Sequence, residues 1–228
     1  MKVRLHAIEY GSRANGPGLR AALWFQGCTL ACPGCFNPAT HDAQDGGWSD
    51  TGTLAAEISA RRTSIEGVSI SGGEPFQQPQ ALRDLLERLA ESGLSRLVFS
   101  GYTLHEIQVS PWGPAILSCI DVLIAGRYVA MRGLGEGLRG SANQRVHLLT
   151  SRYTHGDLAA VPRREVILHP DGSVSITGIR PAIVAPEAAA DPGAPSTRLN
   201  LSRMKGGNTR RQALAGTIRW TSDSGEGS

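Results

Sequence analysis

Val68-Ser69-Ile70-Ser71-Gly72-Gly73-Glu74-Pro75, followed by Pro79-Gln80-Ala81-Leu82-Arg83-Asp84-Leu85-Leu86-Glu87-Arg88-Leu89 and closed at Gly93, reads as a strand, a glycine turn and a helix. The strand at 68–71 is stopped by two glycines. Leu82, Leu85, Leu86 and Leu89 then fall on one helical face, which proline opens and glycine ends. Working outward, Leu23-Trp24-Phe25, Leu97-Val98-Phe99 and Val122-Leu123-Ile124 are further short apolar strands. Leu54 to Arg62, capped by Asp50 or Thr53, and His105 to Val109 are helical, with a weaker helical pattern before Ile120. Strands apolar on both faces that alternate with helices imply an α/β domain of mostly parallel strands covered by helices, over residues 1–150. Ligands of such sheets gather at the carboxyl ends of the strands. Three segments directly follow a strand and therefore share that rim: the stretch after Phe25, Gly72-Gly73-Glu74-Pro75, and Ser100-Gly101-Tyr102.

The stretch after Phe25 carries Cys28, Cys32 and Cys35, spaced C-x3-C-x2-C. Three closely spaced thiolates hold three irons of a cubane cluster and leave the fourth open for chemistry, whereas electron-carrying clusters usually take four cysteines. Zinc is the competing ligand: no second cysteine pair exists, but His41 would complete a three-cysteine set. A disulfide within so short a loop would stabilise little, and nothing in the chain suggests secretion. Cys119, inside Ile116-Leu117-Ser118-Cys119-Ile120, reads as a small core residue.

The 228 residues suffice for one good core with an appendage. A formal charge of +3 with scattered basic residues gives no stripe for nucleic acid, and no apolar run is long enough to span a bilayer. Met1 to Tyr10 alternates charged and apolar residues without a signal-peptide core, which places the protein in the cytoplasm. Beyond Thr150 the character changes. Glu165 to Pro170 and Ser173 to Thr177 flank Asp171-Gly172, a two-residue hairpin signal, so 151–181 is expected to add a short C-terminal β-hairpin. From 182 to 228 the alanine- and proline-rich, then polar and arginine-bearing, sequence reads as linker and disordered tail.

The motifs together resemble the radical S-adenosylmethionine superfamily. Cys28-x3-Cys32-x2-Cys35 followed by Gly72-Gly73-Glu74-Pro75 carries the broad resemblance. Asn15-Gly16-Pro17-Gly18-x-Arg20, Cys32-Pro33-Gly34-Cys35-Phe36-Asn37-Pro38, Ser71 to Gln78, Gly101-Tyr102-Thr103, Asp121-Val122-Leu123 and Arg139-Gly140-Ser141-x-Asn143-Gln144 are similar to the activating components of anaerobic ribonucleotide reductase and of pyruvate formate-lyase. The resemblance implies a partial (β/α) barrel with a 4Fe-4S cluster on Cys28, Cys32 and Cys35. It also implies S-adenosylmethionine on the open iron, touching Gly34, Cys35, Phe36, Gly72, Gly73 and Glu74. The two glycines would let the backbone approach the methionine moiety, and Glu74 would receive its ammonium group. Phe36 would cover the adenine or pack in the core. The implied activity is reductive cleavage to a 5'-deoxyadenosyl radical that installs a glycyl radical on a partner enzyme, with a flavodoxin or ferredoxin as electron donor.

Two other functions stay open on the sequence: radical modification of a peptide or small metabolite, with the segment after Thr150 lining the pocket, and a non-enzymatic iron-sulfur or zinc sensor. Ala125 stands where the activating components suggest an acidic residue, and the extension past Thr150 is longer than they need. Arg20 and Arg139 read as solvated by default, His41, His105, His147, His155 and His169 have no ligand-like spacing, and the glycine-dense 133–140 reads as mobile.

Overall fold

The computed structural model describes residues 1–179 and, beyond them, only the backbone of two short strands. In chain order the elements are β1 (Lys2–Ser12), β2 (Arg20–Phe25), β3 (Gly47–Asp50), α1 (Thr51–Ser59), β4 (Gly67–Gly72), α2 (Pro79–Ala90), β5 (Ser95–Ser100), α3 (Leu104–Gln108), α4 (Gly113–Leu117) and β6 (Val122–Ala125). There follow β7 (Gly133–Glu136), β8 (Arg139–Ser141), β9 (Arg145–Leu148), α5 (His155–Ala159), β10 (Arg164–Leu168), β11 (Val174–Gly178), β12 (Ala213–Leu214) and β13 (Thr217–Ile218).

Seven strands form one sheet in the order β3-β1-β2-β4-β5-β6-β9. Its centre, β2-β4-β5-β6, is parallel throughout, as the strand and helix alternation implies. The flanks are antiparallel: β1 pairs β2 and β3, and β9 returns along β6. The architecture is therefore a mixed α/β sheet with a largely parallel centre, and this strand order does not establish a partial barrel. The eleven-residue β1 escapes a reading based on apolar runs because it alternates polar and apolar residues, as an antiparallel strand with two different faces should. Segment 133–140 is likewise not a bare loop, since β7 and β8 pair as a hairpin.

One face of the sheet is covered by helices. Leu54 and Ile58 of α1 and Leu82, Leu85, Leu86 and Leu89 of α2 bury against Leu23, Phe25, Ile70, Val98 and Leu123, and Ile107 and Ile116 of α3 and α4 join them. Asp50 caps α1 by accepting from Thr53 N, and a reciprocal Thr103 and Glu106 capping box starts α3. On the other face Leu97, Val122 and Ile124 pack with Leu138, Tyr153 and Leu158, so residues just beyond Thr150 enter the core. Cys119 packs at the margin of the helical core, its thiol 3.5 Å from Ala115 O.

Arg20 overturns its reading as a solvated side chain, for it is fully buried. Its guanidinium donates to Ser69 Oγ (2.8 Å), Ser95 Oγ (2.8 Å), Val68 O (2.8 Å), Pro17 O (3.1 Å), Ser95 O (3.2 Å) and Tyr153 Oη (3.2 Å). Tyr153 Oη in turn donates to Glu66 Oε1 at 3.0 Å. Arg20 begins β2, and Gly67 and Ser95 begin or abut β4 and β5, so this knot ties the amino ends of the parallel strands. The Asn15-Gly16-Pro17-Gly18 turn therefore serves the floor of the sheet, away from the rim where the cysteines sit.

The expected hairpin of 151–181 is β10–β11, with Leu168 opposite Val174 across the Asp171-Gly172 turn. The expectation of a linker and disordered tail over 182–228 lies outside the described residues, save for the paired strands β12 and β13. Among the described residues no helix is long and apolar enough to cross a membrane.

Candidate active site

The cysteine loop leaves the carboxyl end of β2 and is closed at its root by backbone bonds. Gly27 N donates to Thr40 O (2.8 Å) and Cys28 N to His41 O (3.0 Å), while Gln26 Nε2 reaches Ala39 O and Asp42 O. Inside the loop Cys35 N donates to Cys32 O at 3.0 Å, a turn about Pro33-Gly34, with Gly34 at φ +72°. All four cysteines are free thiols, and Cys28, Cys32 and Cys35 are each half-buried.

The glycine turn after β4 locks onto that root. Gly73 N donates to Phe25 O (2.8 Å) and Glu74 N to Gly27 O (2.9 Å). Gly72 adopts φ +101°, and a Cβ there would sit 2.5 Å from Phe25 N; at Gly73 it would sit 2.2 Å from Gly27 O. Both positions require glycine whatever binds, because backbone crosses backbone there. The sequence supplies a second motif-borne tie that residue typing missed, namely the glutamines that follow Glu74-Pro75-Phe76. Gln77 accepts from Thr29 N (3.0 Å) and donates to Thr29 Oγ1 (2.8 Å) and Tyr102 Oη (3.1 Å). Gln78 donates to Gln26 O and Arg4 O and accepts from Arg4 N. They hold the first-cysteine segment between β1 and the end of β5.

These parts line one cleft that opens to solvent. Cys28, Cys32, Cys35, Phe36, His41, Gly72, Gly73 and Glu74 all border it, with Leu30, Asn37, Tyr128, Leu138, Gln144 and Ile179. Gly34 turns the loop beside it, within reach of Ala130. Phe36 meets Tyr128 edge to face, centroids 5.1 Å apart, and so forms an aromatic wall of the cleft. Tyr128, Leu138 and Ile179 carry no motif signal, and the fold alone brings them here. Gln144 has one in the Arg139 to Gln144 motif: its Oε1 accepts from Gly140 N and Ser141 N, and its Nε2 donates to Gly126 O, fixing β8 to the end of β6.

The electrostatics suit a thiolate-bound group. Burial pushes the Cys28 thiol up, opposed by the Leu30 and Ala31 N–H groups, and burial pushes up Cys35, opposed by Asn37 N–H at 3.4 Å. N–H donors already aimed at sulfur are what a ligated thiolate needs. The donor set therefore fits a cluster: three free thiols on one cleft, on a loop whose root is fixed independently of them. Among the described residues no three His, Cys, Asp or Glu side chains converge closely enough to hold a single metal ion.

Glu74 is 1 % exposed. Its Oε1 accepts from Phe76 N (3.0 Å) and Ser100 Oγ (2.9 Å) and its Oε2 from Gly101 N (2.7 Å), which pins the turn to β5. Burial pushes its carboxyl up from 4.5 to about 7, against those three donors. The unfolded chain ionises this group near 4.5 and the folded protein near 7, so the fold loses stability as pH rises from 4.5 and the loss is complete above about 7. At 1.4 kcal/mol per unit the loss is at most ~3–4 kcal/mol. Urea unfolding of the wild type should therefore weaken from pH 5 to pH 8 more than that of Glu74→Gln, whose side chain does not titrate; parallel profiles would refute the shift.

Residues 14–147 match the 4Fe-4S single cluster domain family. The chain is also similar to the anaerobic ribonucleoside-triphosphate reductase-activating protein of Salmonella typhi, 32% identical over 156 residues that cover 64% of this chain and 99% of that protein. The protein of the same name from Escherichia coli K12 is 33% identical over 147 residues, 59% of this chain and 92% of that protein. The pyruvate formate-lyase-activating enzyme of Clostridium pasteurianum is 35% identical over 95 residues, 40% of each chain.

Proposed function

We propose that this chain, which belongs to the 4Fe-4S single cluster domain family, is a radical S-adenosylmethionine activase that installs a glycyl radical on a larger partner enzyme. The observation that carries the reading is the single cleft bordered by three free thiols, the Gly72-Gly73-Glu74 turn and the Phe36 ring. When bound, the cluster and S-adenosylmethionine supply reductive cleavage of the sulfonium to methionine and a 5'-deoxyadenosyl radical.

The chain's own residues would then divide the work. Cys28, Cys32 and Cys35 hold the cluster, with backbone N–H groups directed at the sulfurs of Cys28 and Cys35. Gly34, Cys35, Phe36, Gly72, Gly73 and Glu74 bind S-adenosylmethionine, the Glu74 carboxylate holding its ammonium group. Phe36, Tyr128, Leu30 and Leu138 keep water from the cleft. We further infer that the parallel centre of the sheet curves as a partial (β/α) barrel around this cleft, that a flavodoxin or ferredoxin donates the electron, and that the work is done in the cytoplasm.

Anaerobic reconstitution with iron and sulfide, followed by S-adenosylmethionine and dithionite, should yield 5'-deoxyadenosine. Addition of an anaerobic ribonucleoside-triphosphate reductase should give a glycine-centred electron paramagnetic resonance signal. Absence of 5'-deoxyadenosine would sink the radical chemistry, and its formation without the glycine signal would sink the activase assignment alone.

A further inference from the structure

The β10–β11 hairpin is built in an unusual sense. Val166 and Leu168 are 60 % and 76 % exposed, while Ser173, Ser175 and Thr177 are at most 1 % exposed. The hairpin thus faces the body of the protein with its polar side. Glu165 is the anchor: its carboxylate accepts from Arg13 N (2.8 and 2.9 Å), Ala14 N (3.0 Å) and the Ser12 hydroxyl. Asn15 Nδ2 donates to Thr177 Oγ1 at 2.8 Å, and His169 Nε2 lies 3.4 Å from Glu9 Oε2 and 2.7 Å from Ser175 Oγ. A carboxylate cradled by successive backbone N–H groups is a strong and directional tie.

That tie has a consequence at the cleft. At the end of β11 Gly178 takes φ +124°, where a Cβ would fall 2.4 Å from Arg163 O. The next residue, Ile179, borders the same cleft as the three cysteines. The family match ends at residue 147, before the hairpin begins, and the Salmonella typhi relative is covered to 99% of its length by an alignment of 156 residues. The wall at Ile179 is thus an addition to the shared domain. Ile179 therefore forms part of the boundary of the cleft that the cysteine loop and the glycine turn share.

We propose that the hairpin is a specificity-determining wall: clasped to residues 12–14 through Glu165 and to Asn15 through Thr177, it holds Ile179 in the cleft and narrows the approach to the cysteine loop, excluding bulky and stray hydrogen-atom donors. The proposal rests on the radical reading of the site for the identity of the donor, and on the hairpin geometry alone for the restriction of access.

Two variants and two readouts separate these. Hydrogen-deuterium exchange on the reconstituted full chain should show Arg13 and Ala14 amides protected, and Glu165→Ala should speed their exchange at least tenfold. Ile179→Ala leaves the clasp intact, so it should keep those amides protected. It should raise both ferricyanide bleaching of the cluster and 5'-deoxyadenosine formation without substrate at least threefold, with Ile179→Trp moving both the other way. If the chain takes up no cluster or forms no 5'-deoxyadenosine, the radical reading fails; the same order of access is then read in alkylation of Cys28, Cys32 and Cys35 by N-ethylmaleimide. Equal rates for wild type, Ile179→Ala and Ile179→Trp would overturn the wall, and unchanged exchange at residues 13 and 14 in Glu165→Ala would overturn the clasp.

Discussion

Changing any one of Cys28, Cys32 and Cys35 to alanine should reduce 5'-deoxyadenosine formation to background and remove the cluster's absorption and bound iron. On the proposed assignment each thiolate would tie a different iron, so the two that remain would not hold the cluster. The loss should be chemical rather than structural. The root of the loop is closed by Gly27, Cys28 and Gln26 backbone and side-chain bonds to residues 39–42, and none of these uses a thiol. The half-buried sulfurs contribute little to the core, so urea unfolding of the cluster-free variants should lie within ~1 kcal/mol of the cluster-free wild type. Cys119→Ala is the control: its thiol meets Ala115 O and Ser118 Oγ at the edge of the helical core, away from the cleft, so iron content and turnover should stay unchanged. A cysteine variant that retained both cluster and turnover would refute the assignment of that residue.

The second large effect falls on stability. Arg20→Met should destabilise the fold by ~3–5 kcal/mol, the range for breaking a buried charged network by removing one partner. Methionine fills much of the volume, but Val68 O, Ser95 O, Pro17 O and the Ser69, Ser95 and Tyr153 hydroxyls each lose a donor in a place water does not reach. Burial also lowers the Arg20 pKa, with Tyr153 and Glu66 opposing the shift, so the charge is held there at a cost that the six hydrogen bonds offset. Arg20→Lys keeps a charge yet has three donors in place of a planar fork, and should recover only part of the loss. Urea unfolding at pH 7 measures both. An Arg20→Met protein as stable as wild type would show that the knot is not what fastens the strand ends.

The parallel centre of the sheet was legible because β2, β5 and β6 are short and buried, which leaves apolar runs in the sequence, while Val68 and Ile70 of β4 are bounded by the glycines that stop it. β1 and β9 were not legible for the complementary reason: an antiparallel flank presents two unlike faces, and Lys2 to Ser12 alternates where a run was sought. The rim residues followed from the same logic, since a loop that directly follows a buried strand must emerge at its carboxyl end. Arg20 was misplaced because a residue's type sets a default for exposure, whereas its burial depends on six acceptors supplied by five positions up to 133 residues away.

By itself the sequence determined the chemistry: three cysteines at fixed spacing, a glycine turn that only glycine can make, and the order of strands and helices that brings both to one rim. These are local properties, set by ligand number, backbone sterics and hydrophobic period. Only the tertiary structure decided the enclosure of that chemistry, through Tyr128 and Leu138 in the wall, the two glutamines that fix the first-cysteine segment, and a C-terminal hairpin tied to residues 12–14 by the Glu165 carboxylate and to Asn15 through Thr177. Those contacts join segments up to 162 residues apart, and such pairings arise from the packing of the whole chain, which no local pattern encodes.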